Sequence, residues 1–190
     1  MYHIVTFDAG KRQKHEGGTM NIGIFYGSSS GNTEEAAEKI RQGLSLPEEN
    51  IHDISETEAD AFDHYDVIIF ASSSTGTGNM QPDWAEFRDE LENIDFSDKT
   101  VAFVGMGDQM MFPDSFLGGI SHLYSLVAKN AERVIGGNWP ADGYEFEHSK
   151  FFKKGGFRGL ALDADNQPEL TDERIERWVR QIREELGRVD

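Results

Sequence analysis

Three segments rich in hydroxyls and glycine carry the side chains best suited to chemistry in this chain. The first is Gly27-Ser28-Ser29-Ser30-Gly31-Asn32-Thr33, with four hydroxyls and one amide ahead of an apolar-striped segment. Backbone N–H groups at a helix start, joined by hydroxyls, hold a phosphate through dipoles and hydrogen bonds without a cation. A nucleotide-hydrolysing loop needs Lys after its second Gly, and Asn32 stands there, so ATP or GTP hydrolysis is not expected. A Ser-rich turn with Ser30 or Asn32 as a simple helix cap is the plainer reading. The unbroken polar and glycine run from Ser28 to Thr33 exceeds what a cap requires.

The second segment is Ser72-Ser73-Ser74-Thr75-Gly76-Thr77-Gly78-Asn79-Met80-Gln81-Pro82. Gly76 and Gly78 permit backbone conformations closed to other residues, and taken alone a flexible loop explains it equally well. The third is Gly105-Met106-Gly107-Asp108-Gln109-Met110-Met111-Phe112-Pro113-Asp114. Asp108 and Gln109 offer acceptors and donors, Phe112 offers a stacking face, and the methionines either fill core or line a planar ring.

These segments act together only if the elements between them bring them to one edge. Residues 21–26 read as a short apolar strand, and 33–44 as a helix with Ala36, Ala37, Ile40 and Leu44 on one face. A weak edge strand is expected at 51–54 and a strand covered on both faces at 66–71. A helix over 82–94, opened by Pro82, precedes a strand at 100–105. A helix at 116–130, a strand at 133–136 and a short strand at 160–162 follow. The last helix starts at Thr171 with Asp172 as its cap and carries the stripe Ile175, Trp178, Val179, Ile182 and Leu186. This alternation predicts an α/β fold: a three-layer, doubly wound, five-stranded parallel sheet in the order 2-1-3-4-5. In such a sheet a ligand sits beyond the carboxyl ends of the strands, where all three segments fall.

The 190 residues suit one domain over 20–190, preceded by a flexible, dispensable extension over 1–19 with a short strand at 4–7. With 35 acidic against 18 basic residues, the net charge of −17 disfavours nucleic acid and anionic membranes and steers a basic protein toward the surface. Solubility, or adaptation to salt, explains the acid excess equally simply. Cysteine is absent, so disulfides, thiol catalysis, Cys-ligated zinc and iron–sulfur clusters are excluded. Redox work then requires a bound organic cofactor. No apolar run reaches membrane-spanning length and no secretory apolar core opens the chain, so a cytoplasmic monomer is expected.

In this order and spacing the segments resemble the flavodoxin family, and its long-chain branch in particular, from Met20 nearly to the C-terminus. The most specific pieces are Gly27 to Glu34, Gly107-Asp108-Gln109, Asp142-Gly143-Tyr144-Glu145-Phe146, Gly159 to Gln167 and Thr171-Asp172-Glu173-Arg174. Residues 139–158 look like the insertion that interrupts the fifth strand of the long-chain members. The resemblance implies non-covalent FMN and low-potential one-electron transfer between partner proteins, with no substrate turned over. It places Ser28, Ser29, Ser30, Gly31, Asn32 and Thr33 on the 5′-phosphate. Ser73, Ser74, Thr75, Gly76, Thr77 and Gly78, up to Met80, would flank one flavin face. Gly107, Asp108 and Gln109 would meet the pyrimidine edge, Phe112 the other face, and Asp165 the ribityl chain.

Three positions depart from the family pattern: Thr75 stands where a Trp is common, and Met111-Phe112 where Gly-Tyr is common. The implied partners are basic redox proteins such as a ferredoxin-NADP reductase or another low-potential oxidoreductase. An FMN-dependent NAD(P)H:quinone-type reductase of the same fold is the alternative, with a scaffold that has lost its cofactor behind it. A response-regulator-like domain fails, because Tyr26-Gly27 and Ser72-Ser73 occupy the places where its acids belong.

Overall fold

Six consecutive apolar or small residues form β1 (Ile22–Gly27), and all six are buried. A run of that kind belongs between two covering layers. The computed structural model describes residues 20–187, so the extension expected over 1–19, with its strand at 4–7, lies outside the described residues. After β1 come α1 (Asn32–Gly43), β2 (Ile51–Asp53), β3 (Val67–Thr75) and β4 (Asn79–Met80). Then follow α2 (Pro82–Glu86), α3 (Arg88–Asn93), β5 (Thr100–Met106) and α4 (Gly118–Val127). The chain continues through β6 (Arg133–Val134), β7 (Trp139–Pro140), β8 (Phe152–Lys153), β9 (Gly156–Phe157), β10 (Leu160–Leu162) and α5 (Thr171–Glu185).

The main sheet runs β10-β5-β3-β1-β2 with every one of these pairings parallel, which is the expected 2-1-3-4-5 order. Helices α1 and α5 pack on each other beside β1 and β10, while α4 lies against β3 and β5. The sheet interior is aromatic: Phe25 stacks on Phe62 with ring centres 3.9 Å apart, and Phe70 on Phe103 at 5.4 Å. Fully burying such a side chain contributes about 1.5–3 kcal/mol, so these rings anchor the layers on which the loops stand.

The fifth strand is in two pieces. β6 pairs with the start of β5 (Thr100 beside Arg133) and β10 with its end (Val104 beside Leu160). Between them β7, β9 and β8 form a small antiparallel sheet. It is pinned to α5 by Arg174 over the Tyr144 ring at 4.0 Å and Arg177 over Trp139 at 5.0 Å. Tyr144 Oη donates to the Ala161 carbonyl (2.6 Å) and accepts from Trp139 Nε1 (3.0 Å), tying the insertion to β10.

Several expected boundaries move. The third strand does not stop at Ala71; it continues to Thr75 and turns back through β4, so Ser73, Ser74 and Thr75 stand on a hairpin and not in a loose loop. The helix expected over 82–94 breaks at Phe87 into α2 and α3. The helix expected from Phe116 begins at Gly118, behind Leu117 in the left-handed region (φ 59°), and ends at Val127. Gly118 and Gly119 cause that start: a Cβ on either would lie 2.4 Å from the carbonyl oxygen of Gly78 or Ser73, so α4 can press on the hairpin only with glycine there. Asp172 does not cap α5. A 3₁₀ turn over Pro168–Leu170 runs directly into the helix, whose cap position is Leu170, and Asp172 accepts from Lys39 Nζ of α1 at 2.6 Å.

Candidate functional site

The loop from β1 to α1 is shaped by Gly27 and Gly31. A Cβ on Gly27 would sit 2.3 Å from Gln81 Oε1, and Gly31 holds φ 90°, a left-handed conformation that favours glycine. Ser28 Oγ accepts from the Gly31 N–H at 3.1 Å, closing the turn. No side chain caps α1, so the N–H groups of its first turn lack a side-chain acceptor. Thr33 is buried, at 1% exposure, and its Oγ1 has no hydrogen-bond partner. A buried hydroxyl without a partner at an uncapped helix start has the chemistry of a site awaiting acceptor oxygens.

The β3–β4 hairpin faces this loop. Gly76 (φ 50°) and Gly78 (φ 83°) turn it, with the Gly78 N–H donating to the Gly76 carbonyl at 2.9 Å. Ser74 Oγ accepts from Gly119 N (3.0 Å), and Thr75 Oγ1 donates to the Met80 carbonyl (3.1 Å). Ser73 Oγ, in contrast, is buried with no partner, the second such hydroxyl at this edge.

The third loop leaves β5 at Gly107, whose N–H donates to the Leu162 carbonyl at 3.0 Å. Asp108 Oδ1 accepts from the N–H groups of Met110 (3.1 Å) and Met111 (2.8 Å). Burial pushes its carboxyl up, but those two N–H groups and the Asn166 amide outweigh it and hold the pKa below the ordinary value. Asp165 behaves oppositely: burial, then the charges of Asp108 and Asp163, push its carboxyl up.

The three loops enclose one cleft at the carboxyl ends of the strands. Ser29, Ser30 and Asn32 line it from the first loop, and Ser73, Ser74 and Thr75 from the hairpin. Gly107, Asp108 and Phe112 line it from the third loop, and Asp165 from the loop after β10. Ser28, Gly31 and Thr33 shape the first loop without lining the cleft, and Gly76, Thr77 and Gly78 form the hairpin tip. Gln109 faces away from the cleft. It is 2% exposed, its N–H donates to Asp163 Oδ2 at 3.0 Å, and its Oε1 accepts from Glu145 N of the insertion.

Ser115, Phe116 and Leu117 also line the cleft, which sequence reasoning missed, and so does Met106, one of the methionines expected either to fill core or to line a ring. The Gly118-Gly119 pair was the available signal, since adjacent glycines at a helix start mark a close approach by another backbone. Of the three methionines in the third segment, Met106 is buried, at 5% exposure, while Met110 and Met111 are 61% and 69% exposed. Among the described residues, the side chains lining the cleft include the carboxylates of Asp108 and Asp165 and no cation. An anionic group therefore has to bind through neutral donors, at the first loop and away from those acids.

The arrangement has counterparts among known proteins. The Flavodoxin family profile matches residues 24–178. A flavodoxin of Trichodesmium erythraeum is 43% identical over 168 residues, spanning 87% of this chain and 98% of that protein. A flavodoxin of Helicobacter pylori is 41% identical over 162 residues, covering 85% of this chain and 96% of that one. Among solved structures, a Fusobacterium nucleatum flavodoxin bound to flavin mononucleotide superposes with a TM-score of 0.80 at 32% identity, over 88% of this chain and 99% of that one. Sheet order, the position of the cleft and these matches agree, and the chain belongs to the flavodoxin family.

Proposed function

We propose that this protein carries single electrons on non-covalent FMN between redox partners. The observation that carries the reading is the pair of buried, unpartnered hydroxyls, Ser73 Oγ in the wall of the cleft and Thr33 Oγ1 behind it at an uncapped helix start, with no cation among the described residues that line the cleft. Those groups fit a phosphate monoester carrying a planar, hydrogen-bonding ring. FMN, when bound, supplies the one-electron chemistry that a cysteine-free chain lacks.

The protein's residues bind, orient and shield. Ser28 to Thr33 would hold the phosphate by hydroxyls and N–H groups. Ser73, Ser74 and Thr75, with the Gly76-Thr77-Gly78 tip, would cover one side of the ring, and Phe112 the other. Asp108 would meet the pyrimidine edge and Asp165 the ribityl chain, while Gln109 fixes the third loop to the insertion from behind. The split fifth strand with its inserted sheet supports membership of the long-chain branch. Net charge −17 supports basic partners, with a ferredoxin-NADP reductase or another low-potential oxidoreductase as the class. No helix among the described residues is long and apolar enough to cross a membrane. We place the carrier in the cytoplasm, which cell fractionation tests.

An absorption spectrum of the purified protein, with heat-released flavin quantified, tests the function. One FMN per chain, and transfer of electrons to cytochrome c after photoreduction, is the expected result. A protein that binds no added FMN overturns the reading. Oxidation of NADPH by the protein alone replaces it with the reductase alternative.

A further inference from the structure

One amide joins two acids beneath the third loop. Asp163, at the end of β10, is fully buried, and its Oδ2 accepts from the Gln109 N–H at 3.0 Å. Its Oδ1 accepts from the backbone N–H of Asn166 at 3.0 Å. Asn166 Nδ2 then donates in two directions: to Asp163 (2.9 Å to Oδ1 and 3.0 Å to Oδ2) and to Asp108 Oδ1 at 2.8 Å. That same Asp108 oxygen accepts from Met110 and Met111 and so sets the shape of the turn. An amide nitrogen has two protons, and here both are engaged by carboxylates from different loops.

We infer that Asn166 is a positioning residue, which locks the third loop to the β10 loop and aims Asp108 and Phe112 into the cleft. This inference rests on the FMN reading for its functional consequence, though the lock itself is a property of the chain. Without the amide the two carboxylates face each other with nothing between them, and like charges at such a distance repel. Asn166 is exposed on its outer side, so replacing it leaves the packed interior in place.

The charged groups around the junction come from four elements. Asp108 belongs to the third loop, Asp163 and Asp165 to the β10 loop, and Tyr144 and Glu145 to the insertion. Arg174 of α5 donates to Gln167 Oε1 at 2.7 Å and stacks on Tyr144, and it forms no ion pair with Asp108 or Asp163. Among the described residues no cation bonds to Asp108 or Asp163 in place of the amide.

Two variants and two readouts test the lock. Asn166→Asp puts a third carboxylate in the gap, and Asn166→Ala removes the donor without adding charge. In the purified protein, amide hydrogen exchange at Gln109, Met110 and Met111 is expected to speed up about tenfold in Asn166→Asp at neutral pH. Asn166→Ala is expected to show a smaller change. In Asn166→Asp the ratio to wild type should shrink as pH falls toward 5, because a protonated carboxyl removes the added charge and restores one of the two donated bonds. The FMN dissociation constant, measured by fluorescence quenching, should follow the same pattern, rising about tenfold at neutral pH and less at pH 5.

Unchanged exchange at residues 109–111 in both variants overturns the inference. A loss that is equal at both pH values in Asn166→Asp also overturns it, since that reports lost packing alone. Faster exchange in a protein that binds no FMN keeps the lock and sinks the FMN reading instead.

Discussion

Thr33 buries a hydroxyl that bonds to nothing among the described residues, and a fold tolerates that only where another interaction compensates. Thr33→Val keeps the shape and removes the hydroxyl. Thermal unfolding of the FMN-free variant is expected to show stability unchanged or raised by up to about 1 kcal/mol. FMN affinity, read by fluorescence titration, should fall about tenfold. A loss of stability with intact affinity would assign Thr33 to packing. The two acids of the cleft give opposite pH signatures. Asp108, with its pKa lowered, contributes stability above the ordinary carboxylate value of 3.8, and that contribution is lost as pH falls through its folded value. Asp165, with its pKa raised, favours the fold when protonated, and that contribution is lost as pH rises through its folded value, above 3.8. Asp165→Asn should therefore stabilise the protein at neutral pH and give no gain below pH 3.8, as melting curves across that range would show.

At the scale of elements, the contact of α4 with the β3–β4 hairpin decides how the cleft is walled. Gly119→Ala puts a Cβ 2.4 Å from the Ser73 carbonyl oxygen, which is backbone and cannot swing aside. Overpacking of this kind costs about 1–3 kcal/mol, so urea unfolding should show that loss together with weakened FMN binding. The same contact explains what the residues alone revealed and what they concealed. β1 and the first five residues of β3 were legible because a continuous apolar run buried on both faces has few other uses. The continuation of β3 through Ser73, Ser74 and Thr75 was not, because Ser and Gly carry no periodic signal and the pairing with Asn79 and Met80 supplies the strand. The start of α4 was misplaced by two residues because packing on Gly78, not local propensity, sets it. Asp172 looked like a cap from its type, yet an incoming 3₁₀ turn removed the need. That Asp108, Phe112 and the hydroxyls of Ser29, Ser30, Ser73, Ser74 and Thr75 share one cleft was readable from chemistry and position. The inward turn of Gln109 was not, because its partners Asp163 and Glu145 lie 54 and 36 residues away.

For the whole molecule, a charge of −17 acts over the approach of a partner more than over the fold. Reduction of basic cytochrome c by the photoreduced protein is expected to slow at least tenfold as ionic strength rises from about 0.01 to about 0.5 M. An absent salt effect would show that association is not steered by net charge. The division of the fifth strand has a different kind of consequence. β10 is the outermost strand of the sheet, holds only Leu160 to Leu162, and leads directly into Asp163, the buried anchor of the third loop. Edge segments open on their own with less free energy than the molecule needs to unfold. An opening of β10 would release Asp163, and with it one wall of the cleft. The expected behaviour is that of a latch, whose opening frequency would set how fast bound FMN exchanges. Amide exchange at residues 160–162 should slow when FMN is bound, and FMN release should keep pace with that exchange as temperature is varied.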